Sequence, residues 1–243
     1  DFMFYRATFF NQDIGGWDTS KVKSMEHTFA YASFFDQDIG DWDVSNVTSL
    51  YRTFWNANSF NSPLNDWDVS NVVNANSTFN FAKAFNQPLG NWELTSVEDT
   101  SNMFKSALSF NQDLVGWNMP NLTNSAAMFQ SAGSFNGRLD NWSTPKLTNV
   151  SQMFASASSF NQPLDSWDVS SVTDFYAMFK YAIEFNQDLS QRRANAVVDY
   201  LTTKKVSNER LTSVGFGENN PIDTNVSSAG RSNNRRVEIL FVK

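Results

Sequence analysis

The chain has 243 residues, 41% of them hydrophobic, with 23 Phe, 8 Trp and no Cys, so it can bury a core but forms no disulfide and no thiolate metal site. No stretch approaches the roughly 18 apolar residues that a membrane-spanning helix needs. The net charge of −7 is uneven: residues 1–188 carry nine basic and twenty acidic side chains and residues 189–243 nine basic and five acidic, which argues against a nucleic-acid surface and marks a module boundary.

From the N-terminus onward one pattern recurs every 25 residues without slippage. Trp holds positions 17, 42, 67, 92, 117, 142 and 167, and Phe holds 10, 35, 60, 85, 110, 135, 160 and 185. Ala falls at 7 and at every 25th position to 182. An apolar residue stands three before each Trp, from Ile14 to Leu164, and again at Leu189. Val or Leu recurs from Val22 to Val172. A fixed period of this size belongs to stacked repeats, because one unit cannot bury its own apolar face. It is too short for a four-stranded propeller blade, which favours a solenoid.

Within the unit, Val22, Met25, Phe29, Ala32 and Phe35 are spaced 3, 4, 3 and 3. That is one face of a helix, and it predicts a helix of about three turns with Ser20 and Ser45 as N-caps. Pro63, Pro88 and Pro163 place turns and extended chain after it. Trp42-Asp43-Val44 alternates apolar and polar and predicts a short parallel strand.

Two polar columns accompany the apolar ones. Asn follows the periodic Phe at 11, 61, 86, 111, 136, 161 and 186, with Asp36 in the remaining place. The column reads as a recognition stripe or as an amide ladder, and the need of turn backbone for partners favours the ladder. The acids Asp13, Asp18, Asp38, Asp43, Asp68, Glu93, Asp113 and Asp168 form an acidic surface. Calcium would require six to eight oxygens in a defined loop, and no such set repeats. The periodic Trp read as core, not as platforms for a ligand.

The tail changes idiom. Ala194, Val197, Val198 and Leu201 share one helix face, Leu211 to Gly215 is extended, and Gly215 to Pro221 is a turn. Ser227 or Ser228 would cap a short helix through Asn234, and Arg235 to Val242 alternates as a final strand.

The stretch "MFASASSFNQPLDSWDVSSVT" (153–173), in a pattern recurring seven times, resembles the BspA-like leucine-rich repeat family of bacterial and protist surface proteins. The tail resembles the C-terminal half of the OmpA-like peptidoglycan-binding domain. Asn186, Leu189, Ser190, Arg193, Ala194, Gly215, Gly217, Glu218, Pro221, Asn225, Gly230, Arg231, Asn234, Arg235, Arg236 and Val237 carry that likeness. The expected fold is therefore an α/β repeat solenoid, leucine-rich-repeat-like. It has about seven 25-residue units of short helix plus short parallel strand over residues 1–188, capped by a partial α+β OmpA-like segment, residues 189–243.

The first resemblance implies a non-enzymatic adhesion-type surface protein. The second implies that Arg193 would pair with a carboxylate of wall diaminopimelate, with Asn186 assisting by hydrogen bonding; a guanidinium fork suits that task. The family's partner Asp lies in a T-D-x-x-G segment that is missing here, since Thr173-Asp174 stands four residues too far upstream. Arg193 also reads as a plain surface arginine. His27, the one His, reads as an ordinary surface residue of a helix.

No catalytic motif or cofactor fingerprint stands out. The expectation is a protein of the bacterial cell envelope, at the outer membrane, periplasm or cell surface, with no cofactor, no metal and no nucleic-acid partner. Its solenoid surface would take a protein or glycan ligand, and its tail would associate with the wall. A peptidoglycan-binding protein with the repeats as spacer is the alternative, and a carboxylate-based glycan hydrolase is a weaker one.

Overall fold

The computed structural model describes residues 1–164, 167–185, 211–214 and 238–241. The chain divides into two compact units, Asp1–Phe185 and Asn186–Lys243.

The first unit is a stack of 25-residue coils, and the expected helices are not in it. Among the described residues no helix occurs, and the only strands are Leu211–Val214 and Glu238–Phe241. The α/β helix-plus-strand solenoid is thus corrected. The reason lies in where the backbone N–H groups go. Met25, His27, Phe29 and Tyr31 donate to Ser49, Tyr51, Thr53 and Trp55 of the next coil at 2.7–3.0 Å. The residues between them, Thr28, Ala30 and Ala32, donate three residues back, to Met25, His27 and Phe29. Alternate N–H groups therefore tie coil to coil or close a β-turn, and none is left for an i−4 helical bond.

The turns need left-handed backbone. His27 has φ 55° and Tyr31 has φ 63°, and the same two places in later coils are left-handed through Ala177 and Tyr181. These places hold Arg52, Phe81, Ser106 and Gln152 where glycine would be easiest. Each non-glycine residue there costs about 1–2 kcal/mol. Burying two Phe side chains per coil contributes about 3–6 kcal/mol and outweighs that cost.

Inward spacing of three and four is common to a helix face and to such a chain of turns. Phe29, Ala32 and Phe35 are fully buried as expected, but they line a coil. Phe29 stacks on Phe35 at 4.1 Å within one coil, and on Phe54 of the next at 5.5 Å. The same pairing continues through Phe154 with Phe160 at 4.0 Å. Two columns of parallel rings thus run through the unit, an arrangement that adds to the area term.

Parallel pairing is confined to single bridges. Ser24, Ser49, Asn74, Asp99, Asn124, Asn149 and Asp174 bridge in succession, with one more between Asn118 and Ser143. Trp42-Asp43-Val44 forms no strand. Ser20 and Ser45 cap no helix; their N–H and Oγ–H donate to the Oδ1 of Asp18 and Asp43 two residues back.

Each Trp is placed by one bond. The indole Nε1–H of Trp42 donates to the carbonyl of Ile14 at 3.0 Å, and Trp67, Trp92, Trp117 and Trp142 repeat it to Ile39, Leu64, Leu89 and Leu114. The apolar residue three before one Trp accepts from the next Trp, so the two columns depend on each other. From Trp67 to Trp142 the rings are at most 4% exposed, as a core position requires.

The amide ladder is present. Asn86 Oδ1 accepts the Asn111 N–H at 2.8 Å while its own N–H donates to Asn61 Oδ1 at 2.8 Å. Asp36 serves as a rung through its carboxylate, accepting from Asn61 N–H at 2.7 Å.

In the second unit, β1 (Leu211–Val214) pairs antiparallel with β2 (Glu238–Phe241), Leu211 opposite Phe241. These are the two extended segments read from the tail. The helix expected from residue 190 and the expected capping of the last coil fall outside the described residues.

Candidate functional site

Asn186 and Arg193, the residues expected to meet wall peptide, lie outside the described residues. In the coil unit the acidic surface resolves into turn chemistry. The carboxylates of Asp18, Asp43 and Asp168 are held below the usual range, first by the side-chain hydrogen bond from Ser20, Ser45 or Ser170 and then by that serine's N–H. No group of His, Cys, Asp and Glu among the described residues is arranged to hold a metal ion.

Two features remain at the surface. The first is a pair of open grooves at the Trp corner. One, of about 430 Å³, lies between Asp66–Ser70 and the next coil's Asn91 and Glu93. The other, of about 610 Å³, repeats it one coil on, between Gly90–Glu93 and Gly116 with Asn118. The Trp67 and Trp92 N–H groups close local turns to Leu64 and Leu89 here, so these coils are not joined by backbone at this corner. One coil further, Leu114 and Gly116 donate to Arg138 and Asp140 at 2.9 Å.

The second feature is an aromatic and cationic cluster over the first three coils. The left-handed residues Arg6, His27, Tyr31 and Arg52 belong to it. Phe2 stacks on His27 at 4.4 Å, and the Tyr51 ring meets His27 edge-on at 5.1 Å. Tyr31 and Trp55 meet at 4.7 Å, and Tyr5 and Tyr31 at 6.0 Å. The Arg52 guanidinium lies 4.4 Å from the Trp55 ring centre and 4.8 Å from that of Tyr51, and Arg6 lies 5.2 Å from Tyr5.

His27 is therefore no plain surface residue; it is 9% exposed. Burial lowers its pKa below 6.5, the charge of Arg52 lowers it further, and Glu26 opposes them. Residue counting missed this cluster because Trp55 stands off the 25-residue step. Its members meet only once the coils are stacked. The available signal was the outward positions, which hold aromatic or basic residues at Tyr51, Arg52 and Trp55 but Ala126, Ala127 and Gln130 three coils later.

These features define a class: a helix-free stack of turn-built coils with an aromatic interior, held in register by ladders and varied on its outer face. The chain belongs to the family described as "Mycoplasma protein of unknown function, DUF285", which matches at residues 1–92, 35–142 and 110–210. The overlapping matches follow from the repeat. No BspA-like or OmpA-like family was identified. No curated protein and no solved structure matches the chain.

Proposed function

We propose that the chain is a non-enzymatic protein of the bacterial cell surface or envelope whose coil stack binds a protein or glycan partner. Its tail would associate with the wall through Asn186 and Arg193. The observation that carries this reading is the division of labour along each coil. Inward and laddered positions repeat, whereas the position of Tyr51, half-buried or exposed in each coil but that of Ser101, runs Glu26, Tyr51, Asn76, Ser101, Ala126, Ser151 and Tyr176. A strictly repeating surface offers a partner many equivalent registers, and a varied one offers a single site. The carboxylates of Asp18, Asp43 and Asp168 are engaged in turns. The wall tether rests on the N-x-x-L-S-x-x-R-A pattern from Asn186 to Ala194.

The test is retention of the full chain on diaminopimelate-containing wall, on a glycan array and on immobilised surface proteins, with Arg193→Ala beside it. Retention by a protein or glycan irrespective of Arg193 supports the surface reading. Retention on wall alone, lost with Arg193→Ala, makes the peptidoglycan-binding reading the correct one. Turnover of a polysaccharide would overturn both.

A further inference from the structure

The cluster of Tyr5, Tyr31, Tyr51 and Trp55 with Arg6 and Arg52 differs from the rest of the coil surface in two ways. Its guanidiniums form no ion pair with a described residue, although the Glu26 carboxylate stands near His27. The ion pair recorded among the described residues is Arg138 with Asp140, and the guanidinium of neither Arg6 nor Arg52 donates a hydrogen bond to a described residue, their backbone N–H groups serving the ladder to Ala30 and Asn76. This holds although acids outnumber bases twenty to nine over residues 1–188. Arg52 Nε is enclosed without a partner, and so is Nδ1 of the nine-tenths buried His27. A guanidinium over two rings is partly stripped of water, which strengthens its pull on an incoming anion.

The second difference is hydroxyl chemistry on apolar plates. The phenol groups of Tyr5, Tyr31 and Tyr51 bond to no described residue. All three rings and Trp55 are partly exposed. Such rings present an apolar face and a polar tip together.

We propose that this cluster is a binding site for a carboxylated sugar of an acidic glycan, with Arg52 and Arg6 receiving the carboxylate and Tyr31 and Trp55 the apolar face of the sugar ring. A neutral sugar has no use for two unpaired guanidiniums. A simple anion has no use for the rings. An acidic peptide answers the cations but leaves the phenol hydroxyls without the hydroxyl-rich partner that a sugar supplies. The site rests on the reading of the coil stack as a binding surface and names its ligand.

His27 is the only histidine in the chain, so its ring resonances report on the cluster without ambiguity. The full chain is titrated with sialyllactose and with an oligogalacturonate, and separately with lactose, inorganic phosphate and a glutamate-rich peptide. The site predicts that at least one acidic sugar shifts the His27 and Trp55 indole signals while the three comparators do not. Arg52→Gln should weaken that binding by about tenfold or more, as loss of a charge-assisted contact does. Arg6→Gln, at an exposed position, should weaken it with unchanged thermal unfolding. Silence of His27 toward both acidic sugars overturns the site, as does equal response to lactose, phosphate or peptide, or indifference to both Arg variants. If the chain is retained by an array glycan or protein while His27 stays silent, the site fails and the wider surface reading stands.

Discussion

The indole Nε1–H of Trp92 points back one coil and bonds the carbonyl of Leu64 at 2.8 Å, a residue 28 positions earlier. That carbonyl is enclosed beneath Trp92, which is 2% exposed. The bond makes each Trp both filler and clasp.

Trp92→Phe keeps most of the ring but removes the clasp, leaving the Leu64 carbonyl with the Trp67 N–H at 3.2 Å as its remaining donor. The expected loss is about 0.5–1.5 kcal/mol, with Trp92→Ala costing about 3–5 kcal/mol. Urea unfolding followed by a probe in the coil unit measures both. A midpoint unchanged by Trp92→Phe would mean that shape alone holds the column.

Left-handed positions make a different prediction. Ser106 has φ 56°, and its N–H bonds Gln130 carbonyl at 2.8 Å. Ser106→Gly keeps that bond and removes the steric penalty. Against glycine's entropy in the unfolded chain, the net gain is about 0.5–1 kcal/mol. Lys105→Gly, one residue earlier and not left-handed, should destabilise. Thermal midpoints that fall for both variants would contradict the turn assignment.

The ladder discriminates by acceptor rather than by charge. Asn86 Oδ1 accepts from Asn111 N–H at 2.8 Å and from Gln112 Nε2–H at 3.0 Å. Asn86→Ala should cost about 1–2 kcal/mol. Asn86→Asp should be tolerated, because Asp36 already serves as a rung. Equal losses in the two variants, read by denaturant midpoint, would show that the side-chain oxygen is not what matters.

Acid should loosen the first coils through His27. Its pKa is lowered in the fold, first by burial and then by Arg52, so the unfolded chain takes up the proton more readily. The neutral ring's contribution is complete above the ordinary value of 6.5 and is lost as pH falls from there through the folded value. Thermal midpoints recorded from about pH 8 to about pH 5 should fall, and His27→Gln should flatten that part of the slope. An identical slope in the variant would remove His27 from the account.

How much of this was legible in the residues differs from column to column. The period, the buried Trp and Phe, and the amide rungs follow from Trp17, Phe10, Asn11 and their recurrences, because stacking demands that like meet like. The helix did not follow. Val22, Met25, Phe29, Ala32 and Phe35 keep a spacing shared by a helix face and a chain of β-turns. Only the destination of each N–H distinguishes the two, and that depends on the neighbouring coil. The usual warning of left-handed backbone is glycine, yet His27, Arg52 and Gln152 occupy those places. The Tyr31, Arg52 and Trp55 cluster joins residues of different coils, so linear spacing does not announce it.

Because each rung from Asn61 to Asn136 accepts from an Asn 25 positions later, these coils present matching ladder joints. A gene that gained or lost one whole unit would still encode matched seams on both sides of the splice. Length can therefore change in integral steps at little cost to folding, whereas a shift by a single codon would misalign every seam beyond it.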